Sequence, residues 1–339
     1  MRFKLLGKSG LRVSELCLGT MTFGTRNWGT EADEASRIYQ AFRERGGNFL
    51  DTANEIYAGG RSEEVVGELV QGHREEIVLA SKYSMAIPGG ANANAGGNHR
   101  KSLKRSVESS LRRLGTDYLD VLWVHAWDEL TPMEETMRAL DDLVSNGKVL
   151  YIGISNAPAW VVARCNTLAE CKDWTQFVAL QAEYNLIERS IEHELLPLCR
   201  HGGMTLAAWS PLASGILSGK YSCVTNESKR LDSSPLKVLD ESALHVASMV
   251  GEIALSLGKS PSQVALNWLR SKPGVIPLIG ARTLAQTEDN LGCLDFELDT
   301  ETVTALDKLA EPQSYYPQDY LMKFKEVISG GFYQRTQRT

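Results

Sequence analysis

The sequence predicts an α/β protein, a single-domain (β/α)8 TIM barrel in which eight strands alternate with helices. Short apolar, β-rich segments recur along the 339 residues, and segments of helical periodicity separate most of them. Several segments are apolar on both faces, as strands of a buried parallel sheet are. The alternative is an open doubly wound sheet with a small second domain. The predicted strands are residues 16–19, 48–51, 77–82, 119–125, 149–155, 178–181, 204–209 and 275–279.

Helical patterns lie between these strands. Apolar residues recur at helical spacing from Leu103 to Leu114, and the pattern ends at Gly115. The segment TPME at residues 131–134 is typical of a capping box with proline at the first helical position. We expect the helix that it starts to end near Gly147.

Residues 1–311 are assigned to the barrel and residues 312–339 to a C-terminal tail. The tail is rich in tyrosine, and we expect it to fold over the barrel mouth; a partly ordered terminus is the alternative. Two segments do not fit the β/α repeat. Residues 89–97 form a Gly/Asn/Ala loop, and residues 222–240 form a polar excursion after the seventh predicted strand.

Composition excludes several classes of protein. A net charge of −6, from 36 basic and 42 acidic residues, argues against a nucleic-acid binder. No Cys-x-x-Cys or His-Glu-x-x-His motif occurs, so we expect no metal and a reducing, cytoplasmic location. Residues 1–10 have no apolar core of a signal peptide, and no run of 18 apolar residues predicts a membrane span. The oligomeric state is left open.

Common nucleotide and hydrolase motifs are absent as well. No two of the 29 glycines are separated by one residue, which excludes Gly-x-Gly-x-x-Gly. Residues 215–220 are one residue short of a P-loop. Neither Tyr-x-x-x-Lys nor Gly-x-Ser-x-Gly occurs, which argues against short-chain dehydrogenases and α/β-hydrolases.

Polar residues close several otherwise apolar strands. In a (β/α)8 barrel the active site lies at the carboxyl ends of the strands, so these residues are the first candidates for a site. They are Asp51, Lys82, His125, Ser155, Asn156, Gln181 and Trp209.

Ten motifs together resemble the aldo-keto reductase superfamily, in the family's order and over nearly the whole chain. One such motif alone would carry little weight. They are GTM (19–21), FLDTA (49–53), Tyr57, GGRSEEVVG (59–67), ASKY (80–83), LWVH (122–125), GISN (153–156), QAEYN (181–185), WSPL (209–212) and GAR (280–282).

The resemblance implies a catalytic tetrad of Tyr57, Lys82, Asp51 and His125, with Tyr57 as proton donor. Reduction of a carbonyl needs a hydride at carbon and a proton at oxygen. A nearby ammonium stabilises a phenolate, so Lys82 can assist Tyr57, while Asp51 holds Lys82 in place. His125 can donate a hydrogen bond to the carbonyl oxygen. Taken singly, each residue has a structural explanation, such as a cap or a core histidine.

The resemblance also implies an NADP cofactor held by the barrel loops. Ser155, Asn156 and Gln181 match the carboxamide clamp, and Trp209 matches the aromatic that stacks on nicotinamide. Arg282 can meet a 2′-phosphate, which favours NADPH over NADH, although Gln286 stands where several members have a second basic residue. The remaining expected cofactor residues are Gly19, Thr20, Met21, Asp51, Ser210, Pro211, Leu212, Ser214, Gly215, Lys220, Gly280, Asp289 and Asn290.

The expected substrate is a bulky or ring-containing small-molecule carbonyl compound or alcohol, because aromatic residues are predicted near the mouth. These residues are Phe23, Trp28, Tyr83 and Trp127. Residues 222–240 are expected to act as a lid over the cofactor pyrophosphate. The predicted function is an NADP-dependent aldo-keto reductase or alcohol dehydrogenase. The alternative is a cofactor-binding regulatory subunit of the potassium-channel β type.

Overall fold

The computed structural model describes residues 1–25, 29–87, 89, 91–221 and 240–336. Eight parallel strands close into a barrel in the order β10-β3-β4-β5-β6-β7-β8-β9, which confirms the predicted (β/α)8 fold. Each predicted strand is present, with ends shifted by at most two residues. The barrel strands are β3 (Cys17–Gly19), β4 (Phe49–Asp51), β5 (Val78–Tyr83), β6 (Leu119–Val124), β7 (Val149–Ser155), β8 (Phe177–Glu183), β9 (Thr205–Trp209) and β10 (Val275–Ile279).

An antiparallel hairpin that the sequence analysis did not predict closes the amino-terminal end of the barrel. Its strands are β1 (Phe3–Leu5) and β2 (Arg12–Ser14). Leu6 and Val13 are fully buried and pack with the residues inside the barrel. The hairpin therefore closes this end of the barrel, and the active-site loops of such a barrel lie at the opposite end.

Helices surround the barrel and pack their apolar stripes on its outer face. The predicted helix that stops at Gly115 is confirmed: Gly115 adopts a left-handed conformation with φ 62°. The helices are α1 (Ala32–Glu44), α2 (Arg61–Val70), α3 (Arg100–Leu114), α4 (Met133–Ser145), α5 (Ala159–Cys171), α6 (Leu195–Gly202), α7 (Glu241–Leu257), α8 (Pro261–Ser271), α9 (Leu284–Leu291), α10 (Thr300–Leu309) and α11 (Gln318–Ile328). Within the described residues, no helix is long and apolar enough to cross a membrane.

The predicted capping box at residues 131–134 does not form. Pro132 is the N-cap of α4 and offers no side-chain bond, while the Thr131 hydroxyl donates to Asp128 at 2.6 Å. The Thr131 hydroxyl therefore bonds Asp128 and does not cap the first turn of α4. A capping box does occur at the start of α8, between Ser260 and Gln263.

The barrel interior depends on one large ring beneath the carboxyl ends of the strands. Trp123 on β6 is fully buried there, and its strand neighbour Gly153 on β7 leaves the space that the ring occupies. A Cβ atom on Gly153 would lie 2.4 Å from Trp123 Cε3 and 3.0 Å from the Ala179 carbonyl oxygen. The missing side chain at residue 153 is therefore a packing requirement.

We predict that Gly153→Ala lowers the free energy of unfolding by about 1–3 kcal/mol, because the added methyl group overpacks the barrel. Urea denaturation measures this. Gly251→Ala on α7 is the matched control, since a Cβ atom there meets nothing within 4 Å and alanine favours a helix. Equal effects of the two substitutions would contradict the packing argument.

A buried ion cluster fastens the amino terminus to α8 beneath the barrel. Glu15 is buried and contacts Arg270 at 3.0 Å and Arg2 at 3.1 Å. Burial alone would raise the pKa of Glu15, but hydrogen bonds from Arg2 and the charge of Arg270 lower it to about 2. The carboxylate is thus held in its charged form against the cost of burial.

Glu15→Gln is expected to lower the free energy of unfolding at pH 7 by about 3–5 kcal/mol, because it leaves Arg270 buried without its partner charge. The pKa of Glu15 is lowered from 4.5, so this stabilisation is present above pH 4.5 and is lost as the pH falls toward 2. Urea unfolding at pH 7 and pH 3 should therefore show a smaller gap between wild type and variant at pH 3. Glu297→Gln is the control, because Glu297 contacts Arg2 on the exposed surface. A gap that does not depend on pH would exclude this role of Glu15.

Candidate active site

A buried ion pair lies at the carboxyl ends of β4 and β5. Parallel pairing sets Asp51 beside Ala80, so Lys82 extends past the end of β4 on the same inward face. The Lys82 ammonium donates to Asp51 Oδ2, and to the Thr52 carbonyl oxygen at 2.7 Å. Burial opposes the positive charge, yet the charge of Asp51 and the hydrogen bond to it raise the pKa of Lys82 above its usual value.

Tyr57 and His125 stand over this pair. Lys82 Nζ lies 5.1 Å from the centroid of the Tyr57 ring. The Tyr57 and His125 rings meet edge to face, with centroids 6.1 Å apart and an interplanar angle of 87°. The structure therefore brings all four residues of the predicted tetrad together.

His125 is held as a neutral base. Its backbone N–H donates to the Tyr83 carbonyl oxygen at 3.0 Å, and its own carbonyl oxygen accepts from the Asn156 amide at 2.8 Å. Burial, reinforced by the Lys82 charge, lowers the pKa of His125 to about 3. Its Nδ1 atom is buried without a hydrogen-bond partner among the described residues. At neutral pH the uncharged His125 ring can donate one N–H hydrogen bond, but it lacks the second, acidic proton of an imidazolium.

Gln181 and Ser155 continue the ring of inward-facing residues on β7 and β8, where they are strand neighbours. Gln181 Nε2 donates to Asp51 Oδ1 at 3.1 Å. A carboxylate only accepts, so the amide must present its NH2 group to Asp51 and turn its oxygen away. The Ser155 hydroxyl is buried with no partner among the described residues. An amide oxygen and an unbonded hydroxyl suit a carboxamide, which both donates and accepts.

Trp209 ends β9 on the inward face, and its Nε1 atom also lacks a partner in the described part of the chain. The loop after it contains the left-handed residue Ser210 (φ 53°) and, after Pro211 and Leu212, three successive left-handed residues, Ala213 (φ 49°), Ser214 (φ 58°) and Gly215 (φ 94°). Runs of such residues can turn backbone N–H groups toward one point, as anion-binding loops do. Pro211, Leu212 and Lys220 lie in the same segment, and Lys220 is half-buried.

The segment after β10 is anchored to the loop that follows β3. The Thr22 hydroxyl donates to the Ala281 carbonyl oxygen at 2.8 Å, and Thr30 donates to that of Arg282 at 3.1 Å. Gln286 accepts from the Arg282 backbone N–H at 3.0 Å, so it braces the predicted phosphate-binding segment. Gly280, Asp289 and Asn290 flank this segment: Asp289 accepts from Gln263 at 3.1 Å, and Asn290 donates to the Gly280 carbonyl oxygen at 3.5 Å.

Gly19, Thr20 and Met21 follow directly at the end of β3. Thr20 is buried, and its hydroxyl donates to the Asp51 carbonyl oxygen at 3.1 Å. Its role in the structure is to join β3 to β4. Gly19 pairs with Asp51 across β3 and β4, and neither it nor Gly280 places a side chain beside this carboxylate-bearing strand end.

The predicted substrate residues are dispersed. Phe23 and Tyr83 are at most 1% exposed and pack in the layer between barrel and helices, not with the site. Tyr83 follows Lys82 on β5, so it faces the opposite way. Trp127 is half-buried, and its backbone N–H donates to the Asn156 carbonyl oxygen at 3.2 Å. Trp28 and residues 222–239 lie outside the described residues, so the lid prediction is not tested.

Within the described residues, the tail contacts the loop that follows β8. The Tyr315 and His193 rings meet there with centroids 4.4 Å apart and an interplanar angle of 48°. The helix α11 has no buried residue. Folding of the tail over the mouth therefore stays a prediction.

Two contributors to the site escaped the sequence analysis. The Thr52 carbonyl oxygen, which binds Lys82, is a backbone atom and has no sequence signal. Glu63 is fully buried and accepts from the Ser81 hydroxyl at 2.6 Å. Glu63 lies within the motif GGRSEEVVG, which contains two adjacent glutamates. The sequence does not show which of them is buried, whereas the structure places Glu63 on the buried face of α2.

Comparisons with known proteins show similarity over nearly the whole chain. The profile of the Aldo/keto reductase family matches residues 15–311. The chain is 40% identical to norsolorinic acid reductase stcV of Emericella nidulans, covering 93% of this chain and 83% of that protein. It is 37% identical to aryl-alcohol dehydrogenase (NADP(+)) of Phanerodontia chrysosporium, covering 88% and 82%. It is 34% identical to aldo-keto reductase ausK of Emericella nidulans, covering 94% and 84%.

Proposed function

Because the chain belongs to the aldo/keto reductase family, and is an oxidoreductase of that family, we propose that it interconverts an aromatic carbonyl compound and its alcohol with NADP(H). The observation that carries the proposal is the buried Lys82–Asp51 pair beneath the Tyr57 ring, with the neutral His125 ring at right angles to it. This arrangement supplies a proton and a hydrogen bond at one point of the mouth.

Tyr57 acts as the general acid in reduction. His125 is neutral above about pH 3, so it donates a hydrogen bond to the carbonyl oxygen as negative charge grows there. Tyr57 then gives up its proton, and the Lys82 ammonium stabilises the phenolate that remains. In the oxidation direction the same phenolate accepts the alcohol proton. Asp51 keeps Lys82 charged in both directions.

The residues present fit a nicotinamide cofactor. The Gln181 oxygen would accept from its carboxamide and the Ser155 hydroxyl would donate to it, while Trp209 would contact its ring. The loop at residues 210–215, which includes four left-handed residues, would hold the diphosphate together with Lys220. Bound NADPH supplies the hydride, and the chain supplies orientation and charge.

Arg282 gives the preference for NADPH over NADH. The Thr30 hydroxyl donates to its carbonyl oxygen and its N–H donates to Gln286, so the Arg282 backbone is held two residues before α9 begins. A guanidinium pairs with a phosphate through two parallel hydrogen bonds. Gln286 can add only neutral hydrogen bonds, so the preference rests on one charge.

Aromatic substrates are the proposed class. Trp127 is half-buried two residues after His125. The exposed apolar side chain of Leu130 lies in the loop after β6, and that of Trp160 lies on the first turn of α5. Two relatives are named for norsolorinic acid and aryl alcohols. We expect aromatic aldehydes, polycyclic ketones and aryl alcohols to react faster than aliphatic compounds of equal size. Equal rates across such a panel would contradict this choice.

Tyr57→Phe is expected to lower kcat by about 10²–10⁴-fold, since it removes the acid while keeping the ring. Steady-state oxidation of NADPH with an aromatic aldehyde measures this, and cofactor binding should change little. Tyr118→Phe, which loses an exposed phenol bonded to Glu75, is the matched control. Turnover that survives in Tyr57→Phe would refute the proposed acid. Absent turnover in wild type, despite tight NADPH binding, would favour the regulatory alternative.

Arg282→Ala should weaken NADPH binding by about tenfold or more while leaving NADH binding nearly unchanged, because charged hydrogen bonds contribute about 1.5–3 kcal/mol. Fluorescence titration with both nucleotides gives the two dissociation constants. Arg138→Ala, on the outer face of α4, controls for net charge. If both nucleotides weakened equally, Arg282 would not read the 2′-phosphate.

A further inference from the structure

We propose that Arg113, on α3 outside the barrel, is a positioning residue that sets the Tyr57 phenol over Lys82. The inference rests on the proposed role of Tyr57. Arg113 lies on the helix layer, and its ion pairs within the described residues are with Glu55 and Glu63. It acts through the carboxylates of Glu55 and Glu63, which flank the loop that carries Tyr57 (residues 55–60).

The Arg113 guanidinium lies within ion-pair distance of a carboxylate at each end of that loop. Arg113 Nε donates to Glu63 Oε2 at 2.7 Å, and Nη2 lies 2.6 Å from the same oxygen. Nη2 also lies 3.6 Å from Glu55 Oε2. Glu55 precedes Tyr57 by two residues, and Glu63 follows it on the first turn of α2. One side chain thus bridges the entry and the exit of the loop.

Within the loop, the Tyr57 N–H donates to the Asn54 carbonyl oxygen at 3.0 Å and the Gly60 N–H to that of Tyr57 at 2.9 Å, but the backbone between these bonds has an unfavourable conformation. Three successive residues after Tyr57 are left-handed: Ala58 (φ 53°), Gly59 (φ 68°) and Gly60 (φ 96°). Ala58 pays for this conformation in backbone strain, which persists only where the surroundings enforce it. Gly60 lies against Arg113, since a Cβ atom there would come within 2.7 Å of Arg113 Cδ. The arginine therefore packs on the loop as well as pairing across it.

The same contacts reach the strand that carries Lys82. Glu63 is fully buried and accepts from the Ser81 hydroxyl at 2.6 Å. Ser81 immediately precedes Lys82 on β5 and faces outward, while Lys82 faces inward. Glu63 thus fixes the start of α2 relative to the strand of the ammonium. A misplacement of about 1 Å at such a site can cost on the order of 10²-fold in rate.

The chemistry of the side chain matters as much as its charge. A guanidinium offers several donors in a fixed plane, so it can bind Glu63 and reach Glu55 together. A lysine ammonium is a point charge and would pair with one carboxylate at a time. Arg105 also contacts Glu55, at 3.3 Å, but from the exposed side and without contact to Glu63. Only Arg113 joins both carboxylates among the described residues.

The test is a double-mutant cycle of Arg113→Met with Tyr57→Phe on the full chain, with NADPH and an aromatic aldehyde. Arg113→Met alone should lower kcat by about tenfold and leave the dissociation constant of NADPH within about twofold. In the Tyr57→Phe background the same substitution should have no further effect on kcat, because the group that Arg113 positions is gone. Arg113→Lys should recover part of the rate.

Controls separate this inference from fold and from the proposed function. Arg112→Met, next along α3, removes an exposed arginine that bonds Ser109 and should leave kcat unchanged. If Arg113→Met does not fold, Glu55→Gln, which keeps Glu63 paired, should lower kcat about threefold with the same non-additivity. Equal factors in both backgrounds, or an unchanged kcat in Arg113→Met, would overturn the inference. Full turnover in Tyr57→Phe alone would instead overturn the role of Tyr57.

Discussion

The buried Lys82–Asp51 ion pair is the constraint on which the rest of the site depends. Taking an ammonium and a carboxylate out of water costs several kcal/mol for each ion, so the pair must be compensated by close contacts. The compensation comes from neighbouring strands: the Thr52 carbonyl oxygen accepts from Lys82, and Gln181 donates to Asp51. These bonds in turn fix the orientation of the Gln181 amide. Burial, together with the charge of Lys82, lowers the pKa of His125 and keeps its ring neutral.

The barrel provides this arrangement through strand register and a few missing side chains. Alternation on each strand sends every second residue inward, so Asp51, Lys82, Ser155 and Gln181 meet at one end without any special loop. Beneath these four residues the Trp123 ring fills the barrel interior. The hairpin at the other end seals the barrel with apolar residues. The polar groups are thus confined to the one end where the loops can differ between relatives.

Much of this could be predicted from the sequence, because strands that are apolar on both faces and end in a polar residue are easy to recognise. Strand alternation also explains a failure: once Lys82 faces inward, Tyr83 must face the helices, so it is buried away from the site. The capping motif failed because Asp128, three residues before Thr131 and outside the four-residue motif, accepts the hydrogen bond from the Thr131 hydroxyl. The role of Arg113 depends on packing between helices, which no local pattern contains.

The central claim is that the ion pair is retained for chemistry at a cost in stability. The most direct measurement is the free energy of unfolding of the double variant Asp51→Leu/Lys82→Met, compared with each single variant and with turnover. We predict that each single variant loses about 3–5 kcal/mol, that the double variant is at least as stable as wild type, and that it has no turnover. A double variant as unstable as the single variants, or one that retains turnover, would contradict the account.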